Sequence, residues 1–278
     1  MTSTHAVSRL KRILNAKKAG HAGTLDPLAT GVLPVAFGEA TKTVPFVQEG
    51  EKAYRFTVRW GIETDTDDSD GAVMRQSDTR PSAADIIALL PRFTGTIQQL
   101  PPAFSAIKIN GERAYDLARD GEVPVLSPRL VTVYAIDLID SQAGEAVFEA
   151  RCGKGTYVRA IARDLGRALG CYGHVSSLRR TRVGPFYEKD AVRLPESGAA
   201  AVNAGFLQRV EAGLSELPRV AVDSSAAARL RRGHSLLLRG QDAPAGGPAY
   251  AAFRGVVVAV GAVENGELVP SRVFNLPL

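Results

Sequence analysis

The sequence predicts an α+β protein with a smaller, all-β C-terminal part. Three observations carry that reading. Residues 52–60 alternate, with Tyr54, Phe56, Val58 and Trp60 on one face, as a half-buried strand does. Apolar residues recur at helical spacing in Val7, Leu10, Ile13 and Leu14, and again in Val158, Ile161, Ala162, Leu165 and Leu169. Beyond Leu217 the texture shifts to short β-like runs, and Val256–Val263 and Glu267–Val269 flank Asn265-Gly266, a strong two-residue hairpin signal.

The elements follow in order. Gly20 ends the first helix just before a Gly-rich loop. Ser82 and Asp85 form a capping arrangement ahead of Ile86, Ile87 and Leu90. Residues 129–139 and 145–152 are strands joined by a turn around Gly144, and a helix runs from about Thr156 to Leu169. Residues 196–205, rich in Ala and Gly, make a loose connection. A helix around Phe206, Leu207, Val210 and Leu214 follows. Asp223-Ser224 opens a short helix, Gln241–Pro248 is a Gly/Pro-rich loop, and the tail closes as a small β-barrel. There is no internal repeat.

The 278 residues, 45% of them hydrophobic, suffice for one large and one small domain. No apolar run approaches a membrane span and no signal peptide opens the chain, so the expectation is a cytoplasmic protein without membrane contact. Cys152 and Cys171 lack metal-ligand spacing and are expected as buried free thiols. His5, His21, His174 and His234 are scattered and form no metal site.

The net charge of +5 is unevenly distributed. Residues 1–20 hold five basic and no acidic side chains, and residues 151–189 hold nine basic and two acidic ones. Concentrated basic patches are the footprint of a phosphate-backbone binder.

The stretch His21-Ala22-Gly23-Thr24-Leu25-Asp26-Pro27-Leu28-Ala29-Thr30-Gly31 sets one carboxylate among residues that control backbone shape. Pro27 fixes its own φ and biases Asp26 away from the helical region, so Asp26 sits on a stiff turn. Leu-Asp-Pro alone would be an ordinary Asx turn. Asp65, Asp67, Asp68 and Asp70 before Gly71 suggest a calcium loop, but aligning Gly71 to the loop glycine puts Thr66 first and Ser77 last. That segment reads as an exposed turn with no metal.

The His21–Gly31 string resembles the catalytic loop of TruB-type tRNA pseudouridine-55 synthases. The resemblance continues through Gly38-Glu39-Ala40-Thr41-Lys42, Lys52-Ala53-Tyr54-Arg55, Gly61-Ile62-Glu63-Thr64-Asp65-Thr66, Gly155-Thr156-Tyr157-Val158-Arg159 and Leu178-Arg179-Arg180-Thr181, and more loosely to Arg272-Val273-Phe274. It implies a pseudouridine synthase fold, a mixed and mainly antiparallel sheet flanked by helices, over residues 1–215. It also implies a PUA-like RNA-binding domain over residues 216–278. By resemblance Asp26 is the catalytic aspartate, paired with Arg159, and acts on uridine in the T loop of tRNA. Residue periodicity alone leaves Tyr54 as core and Leu178 as core; the resemblance makes Tyr54 the residue that stacks on the target base and can assist proton removal from C5, with Tyr157 and Leu178 lining the same pocket. His21 by itself reads as a capping or hydrogen-bonding residue after Gly20; the resemblance implies that it enters the RNA loop where the extracted base was stacked, and that Lys42 supports the loop or contacts RNA. Lys17, Lys18, Arg179, Arg180 and Arg182 are expected on the RNA backbone, with Arg9, Lys11 and Arg12 beside them.

Isomerising uridine needs no redox change or external group, so no cofactor is expected. The family normally begins with a short strand bearing Lys-Pro-x-Gly; this chain begins where that element should have ended, so the start is truncated or this member does without it. A dyskerin-like, guide-RNA-dependent synthase is the nearest alternative, but such proteins usually carry basic tails and this chain has none. The expectation is therefore a monomer acting on the tRNA T arm without guide RNA. An RNA-binding or tRNA-folding module with a silent site is disfavoured by the intact Asp26, Tyr54 and Arg159. A generic aspartate hydrolase lacks a second carboxylate or metal cluster beside Asp26.

Overall fold

The computed structural model describes residues 1–105, 126–194, 202–238, 240 and 243–277, together with the backbone of 108–109 and 112–113. The chain forms two compact units, one of residues 26–32 and 51–182, the other of residues 1–25, 33–50 and 183–278.

In the first unit a sheet runs in the order Gly173–Val183, Lys52–Trp60, Glu145–Cys152, Arg129–Gln142 and Gly95–Gln99, with the short strand Thr30–Gly31 beside Gly173–Val183. Lys52–Trp60 pairs antiparallel with Glu145–Cys152, which pairs antiparallel with Arg129–Gln142. Thr30–Gly31 is parallel to Arg179-Arg180, so the sheet is mixed. The expected alternation places Phe56, Val58 and Trp60 in the core with Phe148, Cys152 and Leu178, and Tyr54 packs against it. Phe56 faces Phe148 across the strands, their rings stacked with centroids 5.3 Å apart. Helices Ala83–Leu89 and Val158–Ala168 bring Ile86, Ile161 and Leu165 into the same core. Ser82 and Asp85 form the expected reciprocal cap, the Asp85 amide donating to Ser82 Oγ at 3.2 Å and the Ser82 amide to Asp85 Oδ2 at 3.1 Å. Cys152 and Cys171 are buried free thiols, as expected.

In the second unit helix Ser3–Ile13 covers the apolar spacing up to its C-cap Leu14 but stops short of the end expected at Gly20. Asn15 adopts the left-handed conformation, φ 46°, and the Ala16 amide donates to the Lys11 carbonyl at 2.9 Å, which terminates the helix well before Gly20. Gly20 instead lies in a strand, Ala19–His21, paired antiparallel with Val35–Phe37. The C-terminal sheet runs in the order Arg219–Ala221, Gly247–Phe253, Val256–Glu264, Glu267–Val273 and Leu236–Leu237. Asn265 and Gly266, at φ 51° and 79°, make the expected two-residue hairpin. Asp223 caps helix Ser224–Arg231 through the Ala226 amide at 2.7 Å.

One side of that sheet packs Tyr250, Val257, Val260 and Phe274 against Leu214, Val210, Leu217 and Phe46. The helix expected around Phe206–Leu214 is two short 3₁₀ turns, Ala204–Phe206 and Val210–Leu214. Phe206 and Leu207 stay exposed, so the apolar residues never share the single buried face a helix would need. Gly213 packs so closely on Thr43 that a Cβ there would lie 2.5 Å from Thr43 Oγ1. The expected connection at 196–205 and loop at 241–248 fall partly outside the described residues, and Gly247-Pro248 already belongs to a strand. No helix among the described residues is long and apolar enough to cross a membrane.

Candidate active site

The Gly-rich stretch ends in the first unit as a turn hooked onto the sheet. The Ala29 amide donates to the Asp26 carbonyl at 2.9 Å, closing a turn with Pro27 at its second position. Beyond it the Val32 amide donates to the Arg180 carbonyl at 2.8 Å. Gly31, at φ 99°, allows that approach, because a Cβ there would sit 2.1 Å from the Arg180 carbonyl oxygen. Leu28 and Ala29 pack against the core that holds Leu178. Asp26 is thus fixed by a turn on one side and by a sheet contact on the other.

Arg159 meets Asp26 as the resemblance implied. It lies in the first turn of helix Val158–Ala168, is 4% exposed, and its Nε donates to Asp26 Oδ2 at 2.9 Å. Its other nitrogens are equally committed. Nη1 donates to the Thr66 carbonyl at 2.7 Å and lies 3.4 Å from Asp68 Oδ2, and Nη2 donates to the Phe104 carbonyl at 2.9 Å. A guanidinium held on three sides presents its remaining edge in one direction only. The Asp26 side chain is 33% exposed, and its Oδ1 has no hydrogen bond to any described residue. Among the described residues the site therefore holds a carboxylate by one oxygen and leaves the other without a hydrogen bond.

The segment Asp65–Asp70 is not the exposed turn its sequence suggested. Asp67 and Asp68 are buried, Asp68 accepting from Thr66 Oγ1 at 2.6 Å and from the Asp70 amide at 3.1 Å. Burial pushes the Asp67 carboxyl up to about 6 despite the Arg163 guanidinium 3.0 Å away. Their counterions sit across the chain on the helix of residues 158–168, where local sequence cannot place them.

Tyr54 lies beside the core, and burial raises its hydroxyl to about 12, with the Arg180 guanidinium hydrogen-bonded to it. The Asp26 charge reaches both Tyr54 and Tyr157, whose hydroxyl is also raised by burial. Tyr157 is held by its backbone: its amide donates to Gln99 Oε1 at 2.8 Å, and Gln99 Nε2 donates back to its carbonyl at 3.1 Å. The structure so gathers Asp26, Arg159, Tyr54 and Tyr157, with Leu178 in the core behind them.

Arg180 corrects the expectation of a phosphate contact. It is 3% exposed, its Nε donates to the Val32 carbonyl at 2.9 Å, and it serves Tyr54. The strand alternation explains why: Leu178 and Arg180 share the inner face, and Arg179 points out to Thr30 Oγ1 at 3.1 Å. Arg182 is half-buried against Glu51 at 2.9 Å. Lys17 and Lys18 are exposed, as a backbone contact requires. His21 and Lys42 fall in the second unit. His21 is half-buried at the end of its strand. Lys42 donates to Glu39 Oε2 and to the Val273 carbonyl, each at 2.7 Å, and Glu39 Oε2 also accepts from the Asn275 amide at 2.6 Å. Lys42 therefore secures the C-terminal segment, a role its motif did not reveal.

Sequence reasoning missed Arg180 as a tyrosine partner, Asp68 as a second carboxylate on Arg159, and Gln99. The period-two alternation of a strand, which puts Arg180 on the same face as Leu178, was the one available signal for Arg180.

Residues 11–158 match the N-terminal domain of the TruB family pseudouridylate synthases, and residues 159–210 match the tRNA pseudouridylate synthase B C-terminal domain. The chain is 58% identical to tRNA pseudouridine synthase B of Rhodopseudomonas palustris, over 99% of this chain and 78% of that protein. It is also 58% identical to the protein of that name from Bradyrhizobium diazoefficiens, over 99% of this chain and 83% of the relative. In fold it resembles a chain in the crystal structure of a Cbf5-Nop10-Gar1 complex, with a TM-score of 0.72 and 28% identity over 98% of this chain and 80% of that one. Sequence and fold lead to one assignment: the chain belongs to the TruB family of pseudouridylate synthases and is an enzyme of that kind.

Proposed function

We propose that this enzyme isomerises uridine to pseudouridine at position 55 in the T loop of tRNA, with Asp26 as the catalytic carboxylate on a flipped-out base. The observation that carries the reading is the grip of Arg159 on one oxygen of Asp26, while the other has no hydrogen bond among the described residues and can meet a substrate. The reaction breaks the C1′–N1 bond, rotates the uracil and joins C1′ to C5, with the proton lost at C5 matched by one gained at N1; atoms and electrons balance without a cofactor. Asp26 supplies the carboxylate that the detaching base or sugar needs, oriented in advance by Arg159. Tyr54 stacks on the base, and its hydroxyl, raised by burial, remains protonated and donates a hydrogen bond. Tyr157 and Leu178 line the same pocket.

Extracting the base costs a few kcal/mol, and stacking on inserted side chains returns about 1–3 kcal/mol per contact. His21 fills the space the base leaves. Lys17, Lys18 and Arg179 neutralise phosphates, and residues 216–278 act as a PUA-like domain that adds RNA affinity. The protein works as a cytoplasmic monomer without guide RNA.

The test is to incubate the purified protein alone with unmodified tRNA and map pseudouridine. A product at one T-loop uridine, absent with Asp26→Asn, is expected. No product from the unaltered protein, or a product that survives in folded Asp26→Asn, overturns the reading.

A further inference from the structure

Helix Val158–Ala168 carries Arg159, Arg163 and Arg167 one turn apart, so all three lie along one stripe. Arg159 holds Asp26, and Arg167 makes a two-pronged pair with Glu63 at 2.7 and 2.9 Å. Arg163 touches nothing placed in the reaction, yet it is 5% exposed and fully engaged. Its Nη1 donates to Asp67 Oδ2 at 3.0 Å, its Nη2 to the Leu100 carbonyl at 2.7 Å, and its Nε to Asp164 Oδ1 at 2.8 Å.

The partners of Arg163 sit beside those of Arg159. Asp67 lies between Thr66 and Asp68, which both engage Arg159 Nη1, and Leu100 lies four residues before Phe104, whose carbonyl engages Arg159 Nη2. The two arginines bridge the same two segments in parallel, one turn apart. Asp67 also takes a left-handed backbone, φ 60°, held by its amide on the Thr64 carbonyl at 3.2 Å and by the Val175 amide on its carbonyl at 3.0 Å. An apolar pair of similar volume would stabilise a buried position about as well as an ion pair. Directed bonds to two separate segments are what the arginine adds.

We propose that Arg163, paired with Asp67, is a positioning residue for Arg159: it sets the separation of the 66–68 and 100–104 segments, and thereby the aim of Arg159 Nε at Asp26. The inference rests on the reading of Asp26 as the catalytic carboxylate.

The test compares kcat, KM for tRNA and melting temperature across variants of the full chain. Asp67→Asn keeps an acceptor for Arg163 and tolerates the left-handed backbone, so kcat should stay near that of the unaltered protein. Arg163→Met should lower kcat by about tenfold or more while KM moves by less than about threefold, the mark of a contact felt in the transition state. It should also melt lower, because Asp67 is left buried and unpaired. The double variant Asp67→Asn with Arg163→Met removes that unpaired charge. It should regain melting temperature and keep the low kcat. Recovery of both, or an undiminished kcat in Arg163→Met, overturns the proposal and leaves the proposed function standing. An unaltered protein that forms no product overturns the proposed function, and this inference falls with it.

Discussion

Residues 1–20 and residues 151–189 both read as basic patches, and the structure disposes of their charge in different ways. In the first stretch Lys11, Arg12, Lys17 and Lys18 are all exposed. In the second, Arg159, Arg163 and Arg180 are buried, and Arg151, Arg167 and Arg182 are paired with Glu51, Glu63 and Glu51. A desolvated guanidinium must be matched by carboxylates and carbonyls, and here Asp26, Glu63, Asp67 and Asp68 supply much of that match. Charge counted along a chain says how much attraction is available; only burial says whether it faces a polyanion or another part of the same protein.

The comparison breaks most visibly at the buried end. Asp26→Asn should abolish turnover while tRNA affinity stays within a few-fold, since phosphate contacts dominate affinity. Arg159→Ala should cost kcat about a hundredfold or more and melt markedly lower, because Asp68 loses its cation in a buried site. Single-turnover assays on freshly purified protein, alongside thermal melts, read both.

Two adjacent residues sharpen it next. Arg180→Ala should lower kcat by about tenfold or more and melt lower, with no change in the salt dependence of tRNA binding. Arg179→Ala should leave kcat and melting near their original values and flatten that dependence. Lys17→Ala with Lys18→Ala should do the same, each lost phosphate contact reducing the slope of log affinity against log salt by roughly 0.7–0.9. A flattened slope for Arg180→Ala would contradict the burial argument.

Tyr54→Phe keeps the ring and removes the hydroxyl. With that hydroxyl raised to about 12, the unaltered enzyme should show no alkaline limb from Tyr54 ionisation up to pH 10, and the Phe variant should lose no more than about tenfold in kcat. A limb near pH 9 that disappears in the Phe variant would mean proton transfer through the phenol.

The smallest expected effect is a pH signature of the buried acids. Asp67 is raised from 3.8 to about 6 by burial, so the folded state binds the proton more tightly and its contribution to stability is lost as pH rises through that window. Relative to the unaltered protein, Asp67→Asn should gain on the order of a few degrees in melting temperature between pH 4 and pH 6, then level off. Glu63 has the opposite sign. Arg167 bonding lowers it below 4.5, so its contribution is present above that value and disappears as pH falls through the lowered one; Glu63→Gln should therefore flatten the acid side of the stability curve. A parallel pair of curves for Asp67→Asn and the unaltered protein would rule out the burial effect.

Much of this protein was determined by local sequence. The alternation of residues 52–60, the Ser82–Asp85 cap, the Asn265-Gly266 hairpin and the stiff turn at Pro27 depend on interactions within a few residues, and each took the expected form. The motif string was enough to pair Asp26 with Arg159. Where the local reading went astray, a neighbouring signal was stronger: Asn15 stopped the first helix, and scattered exposure left 204–214 as 3₁₀ turns. What only the tertiary structure decided was which charges are inside. Asp67, Asp68 and Arg180 look solvated in sequence because their partners lie far along the chain, on a helix or across a strand. A buried ion costs several kcal/mol unless such partners converge on it, and convergence is a property of the folded chain rather than of any segment of it.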